Sequence, residues 1–240
     1  MTTANIPADT ESRTAVLGAI RSALGRGPRP APGEVPAPVA RHLADHPRNL
    51  VPARSALPRT EQIALFVTMA AKSAATLTSL PARDAVPAEV ARYLHDHGLP
   101  PVLRLAPTPT IESLPWSEQP DLVVSAGLAR GDDGVGVTDA VAGIAETGTL
   151  MLISGPTRPA ALAFLPDTHI VVLDRGAVVG SVEDAWDRLR AILPTRPDGG
   201  TAWPRTVNLI TGPSRTGDIE QQIQMGAHGP RRLHIILVET

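Results

Sequence analysis

Five continuous apolar runs in the second half of the chain constrain its fold most. They are rich in Val, Ile and Leu and span residues 121–127, 148–154, 168–174, 205–211 and 233–239. Runs without polar alternation are typical of strands that are buried on both faces. The pattern "SVEDAWDRLRAIL", which Ser181 caps, predicts a helix between the third and fourth runs. This alternation predicts a mostly parallel sheet with helices on both sides, a three-layer α/β/α domain.

The first 59 residues follow a different pattern. Helical periodicity from Ser12 to Gly25 predicts an N-terminal helical arm over residues 1–27. Five prolines between Pro28 and Pro38 are incompatible with regular helix or sheet, so residues 28–59 are interpreted as a Pro-rich linker. A further helical pattern begins at Thr60, and residues 60–240 are assigned to the α/β domain.

The composition excludes several classes of function. The chain has no Cys, which excludes disulfides, thiolate catalysis and Cys-ligated zinc or iron–sulfur clusters on this chain. A net charge of −2 and 2% aromatic residues predict no nucleic-acid partner. No apolar run approaches the roughly 18–20 residues of a membrane span, and the N-terminus lacks a secretory signal pattern. We therefore expect a cytoplasmic protein, and because no histidine has metal-ligand spacing, no metal site.

The first candidate site is the turn that precedes the second apolar run. A carboxylate at the mouth of a buried strand must be paired or hydrogen-bonded, so Glu146 is a candidate catalytic residue, acting as a general base, a nucleophile or an ion-pair partner. Thr147, Gly148 and Thr149 are predicted to bind a ligand, because they supply two hydroxyls and a backbone that permits close approach. The alternative is a tight turn in which nearby amides satisfy Glu146.

The second candidate site is "TGPSRTGDIEQQIQMGAHGP", which follows the fourth run. Its predicted ligand-binding residues are Gly212, Ser214, Arg215, Thr216, Asp218, Glu220 and His228. The Arg215 guanidinium suits bidentate binding of a carboxylate or phosphate, and His228 is a candidate to hold a carboxylate. A short helix predicted from Asp218 would add free N–H groups for an anion. The alternative is structural: Ser214 or Thr216 caps the helix, Arg215 pairs with Asp218 or Glu220, and His228 has no ligand.

Three motifs in this order, "GIAETGTLML", "LPDTHIVVL" and "TGPSRTGDIEQQIQMGAHGPRRLHIILV", resemble the LUD-domain family, in particular its lactate-utilisation protein C group. The resemblance extends from about Thr60 to the C-terminus. It implies a fold like that of the NagB/RpiA/CoA-transferase superfamily and a role in oxidising L-lactate to pyruvate. It also implies two partner proteins that carry iron–sulfur clusters. Since this chain has no Cys, we expect no cofactor on it and any such cluster on a partner.

Three functions remain open from the sequence. The first is an accessory or substrate-binding subunit of a lactate-oxidising system that binds a small anionic substrate. The second is a free-standing CoA-transferase-like or sugar-phosphate-isomerase-like enzyme that uses Glu146 and an anion site at residues 214–216. The third is a scaffold whose loops are only structural. Under the first two, we expect Glu146, Arg215 and His228 to face one ligand.

Overall fold

A computed structural model describes residues 10–25, 35–197, 199–219 and 222–239. The chain divides into two compact units, Met1–Arg48 and Asn49–Thr240. The first unit contains helices α1 (Thr10–Ala23) and α2 (Ala37–Asp45). Helix α2 lies in the segment where the prolines predicted no regular structure. That prediction missed it because a proline in the first helical turn, here Pro38, lacks only an N–H that has no intrahelical partner.

The second unit combines helices with two main sheets. Its helices are α3 (Arg59–Lys72), α4 (Val86–Asp96), α5 (Pro109–Glu112) and α6 (Val182–Ile192). Its strands are β1 (Thr76–Leu80), β2 (Val102–Leu105), β3 (Val123–Ala126), β4 (Val135–Asp139), β5 (Ala142–Ile144), β6 (Thr149–Ile153), β7 (Thr168–Asp174), β8 (Val178–Val179), β9 (Val207–Ile210), β10 (Arg215–Ile219), β11 (Gln222–Met225) and β12 (Arg232–Val238).

The larger sheet has six strands in the order β1-β12-β7-β4-β2-β3, and every neighbouring pair is parallel. One face packs on α4, where Val90 and Leu94 share an apolar cluster with Ile236 of β12. The other face packs on α3 through Phe66 and Ala70. Helices on both faces of a parallel sheet confirm the predicted α/β class.

A second sheet covers part of the α3 side. Its order is β8-β5-β6-β9, and β6 is antiparallel to both β5 and β9. Leu150 and Leu152 of β6 pack in the same cluster as the larger sheet, whereas Met151 packs on α6. The sequence predicted one mostly parallel sheet and did not separate the runs of β6 and β9, which pair antiparallel in this second sheet. Both kinds of sheet bury their strands, so an apolar run does not reveal its pairing partner.

The segment after Arg215 is a hairpin. Strands β10 and β11 pair antiparallel, with Arg215 opposite Met225 and Thr216 opposite Gln224. The helix predicted from Asp218 is therefore wrong, because cross-strand pairing overrides the modest helix propensity of Glu and Gln. Without that helix, the loop has no helix N-terminus to bind an anion, and its side chains must do so.

Helix α6 begins where the sequence predicted. The Ser181 Oγ accepts a hydrogen bond from the Asp184 N–H at 3.2 Å, and the Asp184 carboxylate accepts one from the Ser181 N–H at 3.0 Å. This reciprocal pair is a capping box. Across the described ranges, the helices are too short or too polar to cross a membrane.

Candidate functional site

A cavity of about 450 Å³, which we call the Arg215 cavity, opens beside the end of β9 and the hairpin. The loop after β9 supplies Thr211, Gly212 and Ser214 to its wall, β10 supplies Arg215, and the loop before β12 supplies His228. The volume lies within the range of about 300–1,000 Å³ that small-molecule sites occupy. Four residues predicted from "TGPSRTGDIEQQIQMGAHGP" thus meet in one cavity: Gly212, Ser214, Arg215 and His228.

Ser214 ties the two cavity loops together. Its N–H donates to the Pro230 carbonyl at 2.8 Å, and its carbonyl accepts from the Gly226 N–H at 2.9 Å. Its Oγ accepts from the His228 N–H at 3.3 Å. The hydroxyl is therefore held in the wall by the same backbone that carries His228, and its position does not depend on a bound ligand.

Arg215 is the cation of this cavity. Its side chain is exposed, and it forms no ion pair with any residue in the described part of the chain. An unpaired guanidinium in a cavity wall can form two parallel hydrogen bonds to one carboxylate without first breaking an internal ion pair. The pairing of Arg215 with Asp218 or Glu220, which the structural alternative required, involves side chains that lie outside the described residues.

His169 lines the same cavity and was missed by the sequence analysis. It lies in β7 and is fully buried. Its Nε2 is 2.8 Å from the Thr138 Oγ1, and its Nδ1 has no hydrogen-bond partner among the described residues. Burial lowers the pKa of His169 to about 3, so the ring is neutral at neutral pH. The sequence feature that could have indicated it is the one histidine beside the apolar centre of the strand "THIVVLD".

A chain of hydroxyls connects the first predicted site to this cavity. The Thr147 and Thr149 Oγ1 atoms are 2.7 Å apart, and the Thr149 Oγ1 is 2.6 Å from that of Thr211. Thr211 lines the cavity, whereas Thr147 and Thr149 do not. Gly148 does permit a close approach, but the approaching group is the backbone of α3 at Ala70. These three residues thus support the wall from behind.

Glu146 lies apart from the cavity of Arg215 and is not among its lining residues. Its side chain is 5% exposed, and its Oε1 accepts a hydrogen bond from the Val182 N–H at 2.8 Å. Val182 is the first residue of α6, so the carboxylate also lies at the positive end of that helix. This contact matches the structural alternative for Glu146, and its catalytic role stays a prediction.

Replacement of Glu146 is expected to separate these two roles. Glu146→Ala leaves the Val182 N–H without its charged acceptor and should lower the free energy of unfolding by about 1.5–3 kcal/mol. Glu146→Gln keeps an oxygen for that N–H and should cost less than about 1 kcal/mol. Urea denaturation measures both, with the exposed Glu118→Ala as control. Equal losses in the two Glu146 variants would show that the hydrogen bond to α6 does not stabilise the fold.

The remaining predicted residues lie outside the cavity wall or outside the described residues. Thr216 lies in β10 but does not line the cavity. The backbone of Asp218 is also in β10, and its side chain lies outside the described set, as does Glu220. Within the described ranges, no group of three or more His, Asp or Glu side chains is arranged to hold a metal ion.

Comparison with known proteins finds similarity to one domain family over part of the chain. Residues 132–238 match the profile of the LUD domain. The chain is 33% identical over 133 residues to a lactate utilization protein C of Exiguobacterium, covering 55% of each chain. It is 34% identical over 104 residues to a lactate utilization protein C of Bacillus subtilis, covering 43% of this chain and 42% of that protein. It thus aligns with about half the length of these curated relatives.

A solved structure is similar over a larger share of the chain. The crystal structure of a DUF162 family protein from Deinococcus radiodurans superposes with a TM-score of 0.53 at 23% sequence identity. The superposition covers 76% of this chain and 99% of that chain. At this identity the likeness concerns the fold, and it supports the α/β architecture described above.

Proposed function

We propose that this chain, a LUD-domain protein similar to lactate utilization protein C, binds a small carboxylate as an accessory or substrate-binding subunit of an L-lactate-oxidising system. The observation that carries the proposal is the Arg215 cavity. Around about 450 Å³ it places a guanidinium with no ion pair among the described residues, a fixed hydroxyl and a buried neutral imidazole. The relatives named lactate utilization protein C support a role in lactate utilization. The cavity supplies the chemistry for an organic anion.

The lining residues suggest how a 2-hydroxy acid binds. The carboxylate of the ligand accepts two parallel hydrogen bonds from the guanidinium of Arg215, and the Ser214 Oγ is a further donor beside it. We assign the hydroxyl or keto oxygen to Nδ1 of His169, because Thr138 occupies Nε2 and Nδ1 has no partner among the described residues. Nδ1 is buried, so this contact requires the cavity wall to open at that point. A neutral ring serves this purpose without adding a buried charge.

The oxidation itself is assigned to partner proteins. The chain has no Cys, so Cys-ligated iron–sulfur clusters that accept electrons from lactate must be carried by other subunits. This part of the proposal is tested by co-purification of the chain with cluster-bearing proteins and by growth on L-lactate after its deletion. Intact growth without the chain, together with no association, would overturn it.

Removal of the Arg215 guanidinium is expected to weaken ligand binding. Arg215→Ala should make the free energy of binding L-lactate or pyruvate less favourable by about 1.5–3 kcal/mol, which is the scale of a hydrogen bond to a charged group. Isothermal titration calorimetry measures the change, and Arg54→Ala, another exposed arginine, is the control. An affinity unchanged by Arg215→Ala would exclude this cavity as the carboxylate site.

The same calorimeter tests the ligand class. L-lactate and pyruvate should bind more tightly than propionate, which lacks the oxygen that we assign to His169. Tight binding of acyl-CoA or a sugar phosphate, with no binding of lactate or pyruvate, would favour the free-standing enzyme.

A further inference from the structure

A second cavity, of about 590 Å³, lies where residues 153–160 face residues 193–194 and 202–205. Its walls are built by hydrogen bonds within the chain. Gly155 and Arg158 exchange two backbone hydrogen bonds of 3.1 Å, which close one turn. The Ala202 N–H donates to the Pro194 carbonyl at 2.9 Å, which joins the other two segments. We call it the Trp203 cavity.

An indole ring forms part of this wall. Trp203 is 49% exposed, although large aromatic side chains are usually well covered in a folded domain. Its ring centroid lies 6.5 Å from that of Trp186 on α6, with the two planes tilted by 55°. This tilted contact covers one side of the Trp203 ring, and the exposed part is available to stack on a planar group.

The cavity also carries positive charge. Arg158 and Arg205 both line it, and none of its described lining residues is acidic. Arg205 is exposed and forms no ion pair with the residues that the structure describes. Arg158 is held by Asp139 through hydrogen bonds of 2.6 and 3.2 Å, so its guanidinium has a fixed position. The exposed guanidinium of Arg205 and the positioned guanidinium of Arg158 together favour the binding of a phosphate or carboxylate group.

We propose that the Trp203 cavity is a second ligand site, which binds a planar aromatic ring that carries a phosphate or carboxylate. The ring stacks on Trp203, and the anionic group lies near Arg205 and Arg158. A purine mononucleotide has this chemistry. The prolines in the wall, Pro156, Pro159, Pro194 and Pro204, add apolar surface with few internal freedoms to lose on binding.

This site is a neighbour of the Arg215 cavity. Arg158 and Ala160 also line a small cavity of about 20 Å³ together with Thr138, whose hydroxyl contacts His169. Ala163 lines both that small cavity and the Arg215 cavity. The proposal does not depend on the lactate function, because it uses a different cavity and different side chains.

Calorimetry on the full chain with adenosine 5′-monophosphate tests the proposal. The nucleotide should bind at least about ten-fold more tightly than either adenosine or ribose 5-phosphate, because each lacks one of the two recognised groups. Trp203→Leu and Arg205→Gln should each weaken binding about ten-fold or more, the scale of one stacked base or one charged contact. The controls are Trp116→Phe and Arg54→Gln, which lie outside the cavity wall.

Tryptophan fluorescence gives a second readout. The nucleotide should quench wild type and Trp116→Phe but not Trp203→Leu. Full affinity in Trp203→Leu, or binding of ribose 5-phosphate as tight as that of the nucleotide, would overturn the proposal. No nucleotide binding to a wild type that binds L-lactate would overturn it while leaving the proposed function intact.

Discussion

Gly148→Ala is expected to destabilise the protein by about 3–5 kcal/mol, a large part of the 5–15 kcal/mol typical of a domain. Gly148 has φ of 67°, a left-handed conformation that costs a residue with a Cβ about 1–2 kcal/mol. The added Cβ would also lie 2.2 Å from the Ala70 N and 2.4 Å from the Met69 carbonyl carbon. Both atoms belong to the backbone of α3, so no side-chain rotation relieves the overlap.

Two other glycines separate the conformational cost from the steric one. Gly98 has φ of 60° but nothing within 4 Å of an added Cβ, so Gly98→Ala should cost only about 1–2 kcal/mol. Gly134 has neither a positive φ nor a neighbour, and Gly134→Ala should change stability by less than about 0.5 kcal/mol. Urea denaturation ranks the three, and poor soluble yield of Gly148→Ala alone fits the same order. Equal effects of Gly148→Ala and Gly98→Ala would show that α3 does not pack on this turn.

The elements that the sequence predicted well are those with local signals. Strand β7 has the predicted bounds, because Ile170 to Leu173 form an unbroken β-branched and Leu-rich run at its centre. Helix α6 starts after Ser181 because a capping box needs only residues 181 to 184. Both signals are complete within a few positions of the chain.

The elements that it missed depend on distant contacts. Strand β4 contains Gly136, a residue disfavoured in strands, yet all five of its residues are buried. The Leu162 carbonyl oxygen passes 2.8 Å from the position of a Gly136 Cβ, so a larger side chain would displace it. The partner that requires this glycine lies 26 positions away, and the sequence pattern does not contain it.

The candidate site divides in the same way. Ser214, Arg215 and His228 were predicted because one loop segment carries unusual polar chemistry, and they do line one cavity. His169 enters that cavity from β7, and Glu146 bonds to Val182, 36 positions along the chain. Both contacts depend on how the two sheets pack on each other. That packing determines which distant residues meet, and the local sequence pattern does not encode it.

Acidification is expected to destabilise the protein from about pH 6.5 downward, well before most carboxylates titrate. Burial lowers the pKa of His169 to about 3 and that of His234 to about 4, whereas both rings titrate near 6.5 in the unfolded chain. Between these values the unfolded state binds more protons than the folded state. The free energy of unfolding therefore falls as pH falls, by up to about 1.4 kcal/mol per pH unit for each ring.

The surroundings of the two rings explain why neither is protonated in the folded state. Among the described residues, the His169 ring has one hydrogen-bonding partner, the Thr138 hydroxyl at Nε2. His234 stacks on Tyr93 with ring centroids 4.2 Å apart, and its Nε2 lies 3.4 Å from the Glu89 Oε1 without hydrogen-bond geometry. Glu89 raises the pKa of His234, but desolvation outweighs it, and the Glu89 carboxylate is already engaged by Arg92 at 2.6 and 2.8 Å.

Urea unfolding at pH 7.5, 6.5, 5.5 and 5.0 measures this effect. Between pH 6 and 5, the pH dependence of the wild-type free energy of unfolding should correspond to the uptake of nearly two protons on unfolding. His169→Gln and His234→Gln should each lower that number by about one. Each variant also loses a buried contact, so the slope, not the absolute stability, is the readout. His95, whose side chain is 90% exposed, provides the control variant His95→Gln, which should keep the wild-type slope.

The carboxylates of Glu89 and Asp133 do not mimic the histidine slope. Because their pKa values are lowered in the folded state, the stability that they contribute is lost only at lower pH, below about 4.5. A wild-type stability that stays flat from pH 7.5 to 5.0 would mean that both rings accept protons without unfolding, and the neutral His169 assigned to the ligand cavity would then be wrong.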